Sequence, residues 1–362
     1  MPSRIDFAQG GAEFDSRVRG LFIGGFIGDA LGFPFEGLNA SAVSEILGRA
    51  DDIAESAPLP DFRPHPSGDF EPGTITDDSQ MTLVELHTHA AESGASPDAI
   101  ADALGNFWTE FRQEQRLVIN PGYSLSTALT AISNGTPWNR AAAIRGRAGC
   151  GALVRIAPSA IWPWPQEEPD VRGKSSIIAE HAAITHLDTR STACCIAFAN
   201  ILDTLVRGGN PVNEGDAVTL IQQTAALVEE INQETAAILR EITELYLAEE
   251  GVIRERVTQI SMNNEGDLWV SPYCVAVFAA ALISWLRHRN TPSRALIFAI
   301  GFGGITESIC SLTGQLLGAA LGSDLWPDSM VQSLCGPGET SESITAALEQ
   351  WLEAARLHSS ST

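Results

Sequence analysis

The sequence predicts an almost wholly helical fold, because apolar residues recur with a helical period in most of its segments. In QETAAILREITELYLAEE, for example, one face collects Ile238, Leu239, Ile242, Leu245 and Tyr246. Alternating runs of the β type are scarce. The chain has 362 residues, of which 44% are hydrophobic, so it holds ample apolar material for a sizeable core.

Six further segments carry the helical pattern, and several are closed by a glycine at the C′ position. In chain order they are DAIADALGNFWTEF, STALTAISNG, STACCIAFANILDTLVRGG, DAVTLIQQTAALVEEI, SPYCVAVFAAALISWLRHR and SESITAALEQWLEAARL. Pro and Gly cluster in three loops, at 57–73, 120–123 and 158–174. None of these loops is long enough to separate domains, so we expect a single domain over residues 1–362.

Charge and cysteine usage narrow the class of protein. Lys and Arg number 22 against 45 Asp and Glu, a net charge of −23, and no basic run offsets it, so we expect no nucleic-acid partner. The six cysteines lack the Cys-x-x-Cys spacing of thiolate zinc sites. The start, MPSRIDFAQGGAEFD, has no apolar signal region, and the run from Val275 to Leu286 is too short to cross a bilayer. We expect a cytoplasmic protein without membrane insertion.

Two segments carry glycine at every fourth position. Gly20, Gly24, Gly28 and Gly32 recur in GLFIGGFIGDALG, and a second stripe runs through GQLLGAALG from Gly314. Each glycine costs a helix roughly 1 kcal/mol relative to alanine, so such stripes persist where two backbones approach closely. We predict a tight helix crossing that brings the polar ends of both segments together.

The segment TITDDSQM places four oxygen-bearing side chains in a row: Thr76, Asp77, Asp78 and Ser79. One of them suffices to cap the start of the helix DDSQMTLVELHTHAAE. Two adjacent carboxylates repel each other unless a cation lies between them, and such an oxygen set is what Mg²⁺, Mn²⁺ or Ca²⁺ prefers. From the spacing alone, the cap and the metal site both stay open.

Further polar residues flank the glycine stripes. Asp29 and Glu36 follow the first stripe, while Glu307 and Ser308 open the second. A cap explains one of the second pair. His186, in AITHLDTRST, precedes an apolar helix, where a histidine is either structural or catalytic.

Two weaker signals complete the set. His87 and His89 suggest a rival metal site, but residues two apart on a helix point to different faces, which argues against it. The loops PGYS (121–124) and GCGALVR (149–155) each lead into a helix, whose free N–H groups are suited to phosphate.

Taken in order, these segments resemble the ADP-ribosylglycohydrolase family over nearly the whole chain. GGFIGDALGFPFEG is similar to its G-x-x-x-G-D-A-x-G-x-x-x-E opening, TITDDSQM to its T-D-D-T/S motif, and NPGYSLSTALTAISNG to its G-Y-G/S loop and helix. GCGALVRIAP is similar to G-N-G-x-x-M-R-x-x-P, ITH to I-T-H, and GFGGITESICSLTGQLLGAALG to the G-G-D-T/S-D-T ending. The resemblance implies a compact orthogonal all-α bundle with a central cleft for metal and ligand, which cleaves the bond between ribose C1″ and a protein side chain.

The resemblance also implies a role for each motif residue. The implied ligands of Mg²⁺ or Mn²⁺ are Thr76, Asp77, Asp78, Glu307 and Ser308. The implied catalytic carboxylates are Glu36 and Asp78. The implied contacts of ADP-ribose, or of an ADP-ribosylated protein, are Asp29, Gly122, Tyr123, Ser124, Gly149, Cys150, Gly151 and His186.

Three positions depart from the family pattern. Ile305 stands where the family has the first Asp of G-G-D, which helps to hold a second metal, so we expect one ion rather than two. Glu307 is one methylene longer than the family's Asp, and Cys150 replaces an Asn. Two alternatives therefore stay open beside a hydrolase of ADP-ribosylated side chains: a protein that binds ADP-ribose without cleaving it, and an N-glycosidase of another small ribosyl compound.

Overall fold

The computed structural model describes residues 11–114, 118–142, 148–164, 171–208, 213–261 and 268–361. Within these ranges the chain forms eighteen α-helices and three short 3₁₀ helices. The described residues contain only isolated β-bridges, such as Thr74 with Cys335, and no sheet. The predicted all-α class is therefore confirmed.

The helices follow one another through short connections. The first nine are α1 (Ala12–Gly32), α2 (Ala40–Leu47), α3 (Asp77–Glu92), α4 (Pro97–Glu114), α5 (Tyr123–Ser133), α6 (Trp138–Ala141), α7 (Gly151–Arg155), α8 (Ala157–Ala160) and α9 (Val171–Ala183). The others are α10 (Thr189–Val206), α11 (Glu214–Val228), α12 (Gln233–Leu245), α13 (Glu250–Ile260), α14 (Cys274–His288), α15 (Pro292–Ile300), α16 (Thr306–Leu321), α17 (Asp328–Gln332) and α18 (Ser341–Ser361). The 3₁₀ helices are Phe33–Phe35, Ala50–Asp52 and Ser323–Leu325.

Helices α1 and α16 cross in direct backbone contact along their glycine stripes. A Cβ atom on Gly24 would lie 2.2 Å from the carbonyl oxygen of Gly314, and one on Gly28 would lie 2.1 Å from that of Cys310. No side chain fits at these separations, so the predicted tight crossing is confirmed. At its polar end, Gly32 meets the backbone of Glu307, which sets the end of α1 against the start of α16.

Helix α1 owes its apolar character to this packing. By length and composition, the segment Ala12–Phe35 is the one described stretch that could cross a membrane, but 89% of its apolar window is buried inside the fold. Helix α14 is also apolar on nearly every side and lies in the core. The six cysteines are free thiols, and all except Cys335 are buried, which agrees with reduced core residues.

Candidate functional site

The first turn of α3 is held in place by Asp29 of α1. One carboxylate oxygen of Asp29 accepts from the Thr76 N–H (2.9 Å) and the Ser79 hydroxyl (2.5 Å), and the other accepts from the Thr76 hydroxyl (2.8 Å). Asp29 has no exposed surface. Both of its oxygens thus accept hydrogen bonds that position α3, and its role as a substrate contact stays a prediction.

Thr76 is the N-cap of α3, and its hydroxyl also accepts from the N–H of Asp78 at 3.4 Å. Thr76 alone therefore provides the helix cap that the T-D-D-S segment predicts. Asp77 and Asp78 remain as adjacent buried carboxylates that capping does not explain.

The two halves of the chain meet at Asp78 and Ser308. The Ser308 hydroxyl donates to Asp78 at 2.6 Å, across 230 positions of sequence. The Cys150 thiol donates in turn to Ser308 at 3.6 Å. Cys150, which the family resemblance placed at the substrate, therefore contacts Ser308 at the start of α16 and is 5% exposed.

Five carboxylates surround this junction, and we call them the acidic cluster: Asp29, Glu36, Asp77, Asp78 and Glu307. Among the residues that the structure describes, no Lys, Arg or His forms an ion pair with any of the five. Burial raises the pKa of Asp78 to about 8, with the charge of Asp29 adding to it. Burial, and then the charge of Asp78, raises the pKa of Asp77 well above its usual value.

Glu307, on the opposite side of the junction, also has a raised pKa. Burial, and then the charges of Glu36 and Asp78, raises its pKa well above the usual value. One of its carboxylate oxygens is buried without a hydrogen-bond partner among the described residues. Oxygen donors of this kind are the ligands that Mg²⁺ and Mn²⁺ prefer, so the chemistry of the cluster fits a hard divalent cation.

Glu36 is the least buried member of the acidic cluster. Its carboxylate accepts a hydrogen bond from the side-chain amide of Asn120, which has a left-handed φ of 55° that asparagine tolerates well. Burial raises the pKa of Glu36, the Asn120 hydrogen bond lowers it, and the charge of Asp29 raises it again. The neighbouring segment is tied to α3, because the N–H of Asp77 donates to the carbonyl of Ile119 at 3.1 Å.

A chain of hydrogen bonds fixes the ring of His186. Arg155 donates to the Thr185 hydroxyl at 2.8 Å, and that hydroxyl lies 2.9 Å from Nδ1 of His186. Because a guanidinium only donates, the hydroxyl keeps its own proton for Nδ1, and with that hydrogen bond made the proton of a neutral His186 lies on Nε2. Burial, and then the charge of Arg155, lowers the pKa of His186 to about 3, so the ring is a neutral donor.

The glycines of the 149–151 segment lie against this ring. A Cβ on Gly149 would be 2.9 Å from His186 Nε2, and one on Gly151 would be 3.2 Å from Cε1. Ser124 lines a small cavity together with His186. Gly122 and Tyr123 lie at the N-terminus of α5, where Tyr123 is 63% exposed. The predicted site residues thus form two groups, one around Asp78 and one around His186.

Sequence reasoning missed a second buried polar group, which we call the histidine cluster: Glu85, His89, Arg155, Ser159 and His181. Arg155 forms an ion pair with Glu85, and both side chains are fully buried. Ser159 lies 2.9 Å from His89 Nε2, 2.6 Å from His181 Nδ1 and 3.1 Å from the Glu85 carboxylate. The i, i+4 spacing of Glu85 and His89 was its one visible sequence signal.

Glu85, His89 and His181 bring three possible metal-ligating atoms within 4.8 Å of one another, which no other such group does among the described residues. The position between them, however, already holds the Ser159 hydroxyl, and the Arg155 guanidinium supplies the positive charge. The cluster is a hydrogen-bonded network that contains its own cation, and only Arg155 Nε and His181 Nε2 of its side-chain atoms lack a hydrogen-bond partner within the described residues. His87 is exposed while His89 is buried, so the two do not share a site.

Ile305 precedes α16 and carries no ligand atom. Its N–H donates to the Val270 carbonyl at 3.0 Å, and its side chain packs against the main core. The position therefore contributes backbone pairing and apolar packing where an acidic residue would contribute charge.

Comparison with known proteins gives consistent results. The family model described as ADP-ribosylglycohydrolase matches residues 11–360. An uncharacterized protein from Archaeoglobus fulgidus is 24% identical over 84% of this chain and 88% of its own length. ADP-ribosylhydrolase ARH3 from Bos taurus is 22% identical over 91% of this chain and 92% of its own. A solved structure described as an ADP-ribosylglycohydrolase-related protein complex shares the fold, with a TM-score of 0.64 and 22% identity, over 95% of this chain and 99% of the other.

Proposed function

Since the chain belongs to the ADP-ribosylglycohydrolase family, we propose that it is a cytoplasmic hydrolase, dependent on a divalent cation, of ADP-ribosylated protein side chains. The bond it cleaves is that between ribosyl C1″ and the side chain. The observation that carries the proposal is the acidic cluster, five carboxylates without a described cationic partner. Unpaired buried carboxylates are costly, and a divalent cation offsets that cost.

The residues that would hold the cation come from both halves of the chain. They are Thr76, Asp77, Asp78, Glu307 and Ser308. A bound Mg²⁺ or Mn²⁺ supplies a Lewis acid that polarises water and orients substrate hydroxyls. Because Ile305 offers no ligand, we propose one ion rather than two. Asp29 acts by positioning, since it fixes the turn that carries Asp77 and Asp78.

Glu36 is the residue we assign to proton transfer. It lies at the more accessible edge of the acidic cluster, and burial raises its pKa, which favours the protonated form that a general acid needs. Cleavage of a glycosidic bond needs a proton on the leaving atom and negative charge near the oxocarbenium-like transition state. Glu36 would supply the proton, and Asp78, as one of the residues that would hold the cation, would supply part of the negative charge.

The group around His186 is the proposed binding site for ADP-ribose. His186 presents a fixed Nε2–H beside Gly149, and the first N–H groups of α5 follow Gly122. Donors of this kind bind phosphate oxygens without a net positive charge. That suits a chain whose net charge is −23.

The test is hydrolysis of ADP-ribosyl-arginine and ADP-ribosyl-serine peptides in Mg²⁺ or Mn²⁺, followed by removal of the metal with a chelator. We expect release of ADP-ribose from at least one peptide, loss of activity on chelation and recovery on adding metal back. The double variant Asp77→Ala/Asp78→Ala should be inactive under all conditions. Turnover that survives chelation would overturn the proposed metal dependence.

A second candidate function, binding of ADP-ribose without cleavage, is favoured by Ile305. Calorimetry with ADP-ribose separates the two functions, because a binding protein retains affinity while neither peptide is cleaved. Cleavage of free ribosyl compounds alone would instead indicate an N-glycosidase. Metal analysis of the purified protein counts the bound ions independently. We expect one ion per chain, and two ions would contradict the proposal that Ile305 removes the second metal site.

A further inference from the structure

One short stretch of this acidic chain carries three arginines that line a cavity. The stretch is RHRNTPSR (287–294), in a chain whose 22 Lys and Arg are outnumbered by 45 Asp and Glu. The cavity has a volume of about 390 Å³ and is lined by Arg287, Arg289 and Arg294, while Glu55 is the one carboxylate among its described lining residues. We call it the arginine cavity.

The arginine cavity lies at the far end of α14 from the proposed catalytic site. The first residue of α14, Cys274, donates its N–H to the carbonyl of Ala148, beside Gly149. The last residue, His288, lines the cavity. A helix of 15 residues spans about 20 Å, so the two sites are separate.

Two buried nitrogen atoms beside the cavity lack a hydrogen-bond partner within the described part of the chain. Arg287 donates from Nη1 to the carbonyls of Tyr246 and Ala248, both at 2.8 Å, and from Nη2 to Asp51 at 3.1 Å, but its Nε–H is unmatched. Nε2 of His288 is buried and also unmatched, with the nearest Asp51 oxygen at 3.8 Å. The Nε–H of Arg287 is always a donor, and a buried donor without a partner is costly, so an acceptor atom in the cavity would offset that cost.

Helix α15 adds a further element of positive potential. It begins at Pro292, directly beside the cavity residue Thr291, and Thr291 makes no side-chain cap hydrogen bond. The first turn of a helix without a side-chain cap presents free N–H groups and the positive end of the helix dipole. Three guanidinium groups and this helix end therefore converge on one concavity.

We propose that the arginine cavity binds a small phosphate-bearing anion at a site distinct from the catalytic one. Guanidinium forks match phosphate oxygens in planar, charge-assisted pairs. A cavity of about 390 Å³ falls within the range of small-molecule sites. The proposal does not depend on the hydrolase activity, because none of its residues belongs to the acidic cluster or to the His186 group.

The test is calorimetry of the full chain with inorganic pyrophosphate. Arg289→Gln/Arg294→Gln removes two charges from the cavity and keeps Arg287, which donates to the backbone carbonyls of Tyr246 and Ala248. Each replaced arginine also donates to one backbone carbonyl, Arg289 to that of Leu286 and Arg294 to that of Ile53. We expect affinity to fall roughly tenfold or more in this variant. Arg240→Gln, which removes a guanidinium that pairs with Glu229 at the surface, is the matched control and should keep the wild-type affinity.

Glu55→Gln provides a test in the opposite direction. Glu55 is the acidic member of the cavity lining and lies 3.9 Å from Arg294, with a side chain that is 81% exposed, so its loss should leave the fold intact. We expect pyrophosphate to bind roughly two- to threefold more tightly, and the gain to shrink at high salt. Equal affinity in the arginine double variant and the control would overturn the proposal. So would binding that is lost in His186→Ala but kept in the double variant, because it would place the anion at the catalytic site.

Discussion

The acidic cluster and the histidine cluster share helix α3 and are both largely buried, yet only the histidine cluster contains its own cation. Asp78 and Glu85 lie seven residues apart, two turns along one helix face. Glu85 meets Arg155 and Ser159, whereas Asp78 meets further carboxylates and the Ser308 hydroxyl. The contrast separates a polar network with an internal ion pair from a group of carboxylates that have no cationic partner among the described residues.

Burial raises the pKa of the carboxylates in both clusters, but their neighbours act differently. In the acidic cluster, neighbouring carboxylates raise the pKa of Asp77 and Glu307 further. In the histidine cluster, burial raises the pKa of Glu85, and the charge and the hydrogen bond of Arg155 act against that rise. Removing a carboxylate should therefore damage stability in the histidine cluster and activity in the acidic cluster.

The largest effect is expected for Glu85→Gln. Losing one partner of a buried ion pair leaves Arg155 charged and uncompensated, which costs about 3–5 kcal/mol of unfolding free energy. Urea denaturation measures this loss. Glu349→Gln is the matched control, because its pair with Arg19 is partly exposed and such pairs contribute about 1 kcal/mol or less. Similar losses in the two variants would remove the distinction between the clusters.

Asp78→Asn tests the acidic cluster in the complementary way. The amide oxygen still accepts from Ser308, and a side chain that cannot ionise avoids the cost of burying a charge among the other carboxylates, so the unfolding free energy without metal should not fall. The rate of hydrolysis should drop by roughly a hundredfold or more. Mutation of a residue that only hydrogen-bonds to a metal ligand already lowers metal affinity or activity by about 10- to 100-fold. Asp324→Asn, at an exposed position, is the control. A variant that unfolds while its residual activity per folded molecule stays normal would contradict the assignment.

A third variant, Thr185→Val, breaks the hydrogen-bonded link between the histidine cluster and the His186 group. Arg155 belongs to the histidine cluster and also donates to Thr185, which orients His186. Without the hydroxyl, the His186 tautomer is no longer fixed, and we expect affinity for ADP-ribose to fall about tenfold. Thr185→Ser keeps the hydroxyl and should restore the affinity. Nitrogen-15 spectra of His186 report the tautomer directly, and an unchanged Nε2–H tautomer in the valine variant would rule out the relay.

The features that the sequence predicts are those that depend on residues close together in the chain, and contacts between distant residues were not predictable. The crossing of α1 and α16 was predictable, because a glycine stripe has one main physical use and both stripes are local patterns. The role of Asp29 was not, since its partners Thr76 and Ser79 lie 47 and 50 positions away and only the fold shows that its oxygens are occupied. The arginine cavity likewise joins Glu55 to residues beyond 240.

The histidine cluster was missed for the same reason. Glu85 and His89 share a helix, but Ser159 and His181 lie 74 and 96 positions beyond Glu85 and join the network only after folding. Motif reasoning favoured the T-D-D-S segment because its carboxylates are adjacent in sequence. It gave no weight to residues whose importance comes from mutual contact inside the core.

The smallest effect is expected from pH, and it has a definite sign. Burial, and then the charge of Arg155, lowers the pKa of His181 to about 3, while an unfolded histidine titrates near 6.5. Between these values the unfolded chain binds a proton that the folded chain does not. Unfolding free energy therefore falls as the pH falls, by up to about 1.4 kcal/mol per pH unit for this one group.

His181→Gln removes this titration and keeps a polar side chain near Ser159. We expect the unfolding free energy of this variant to depend less steeply on pH between 7 and 5 than that of the wild type. His87→Gln, on the exposed side of the same helix, should keep the wild-type slope. Identical slopes in all three proteins would mean that His181 takes up a proton while the protein stays folded. The histidine cluster would then not be the structural network that we contrast with the acidic cluster.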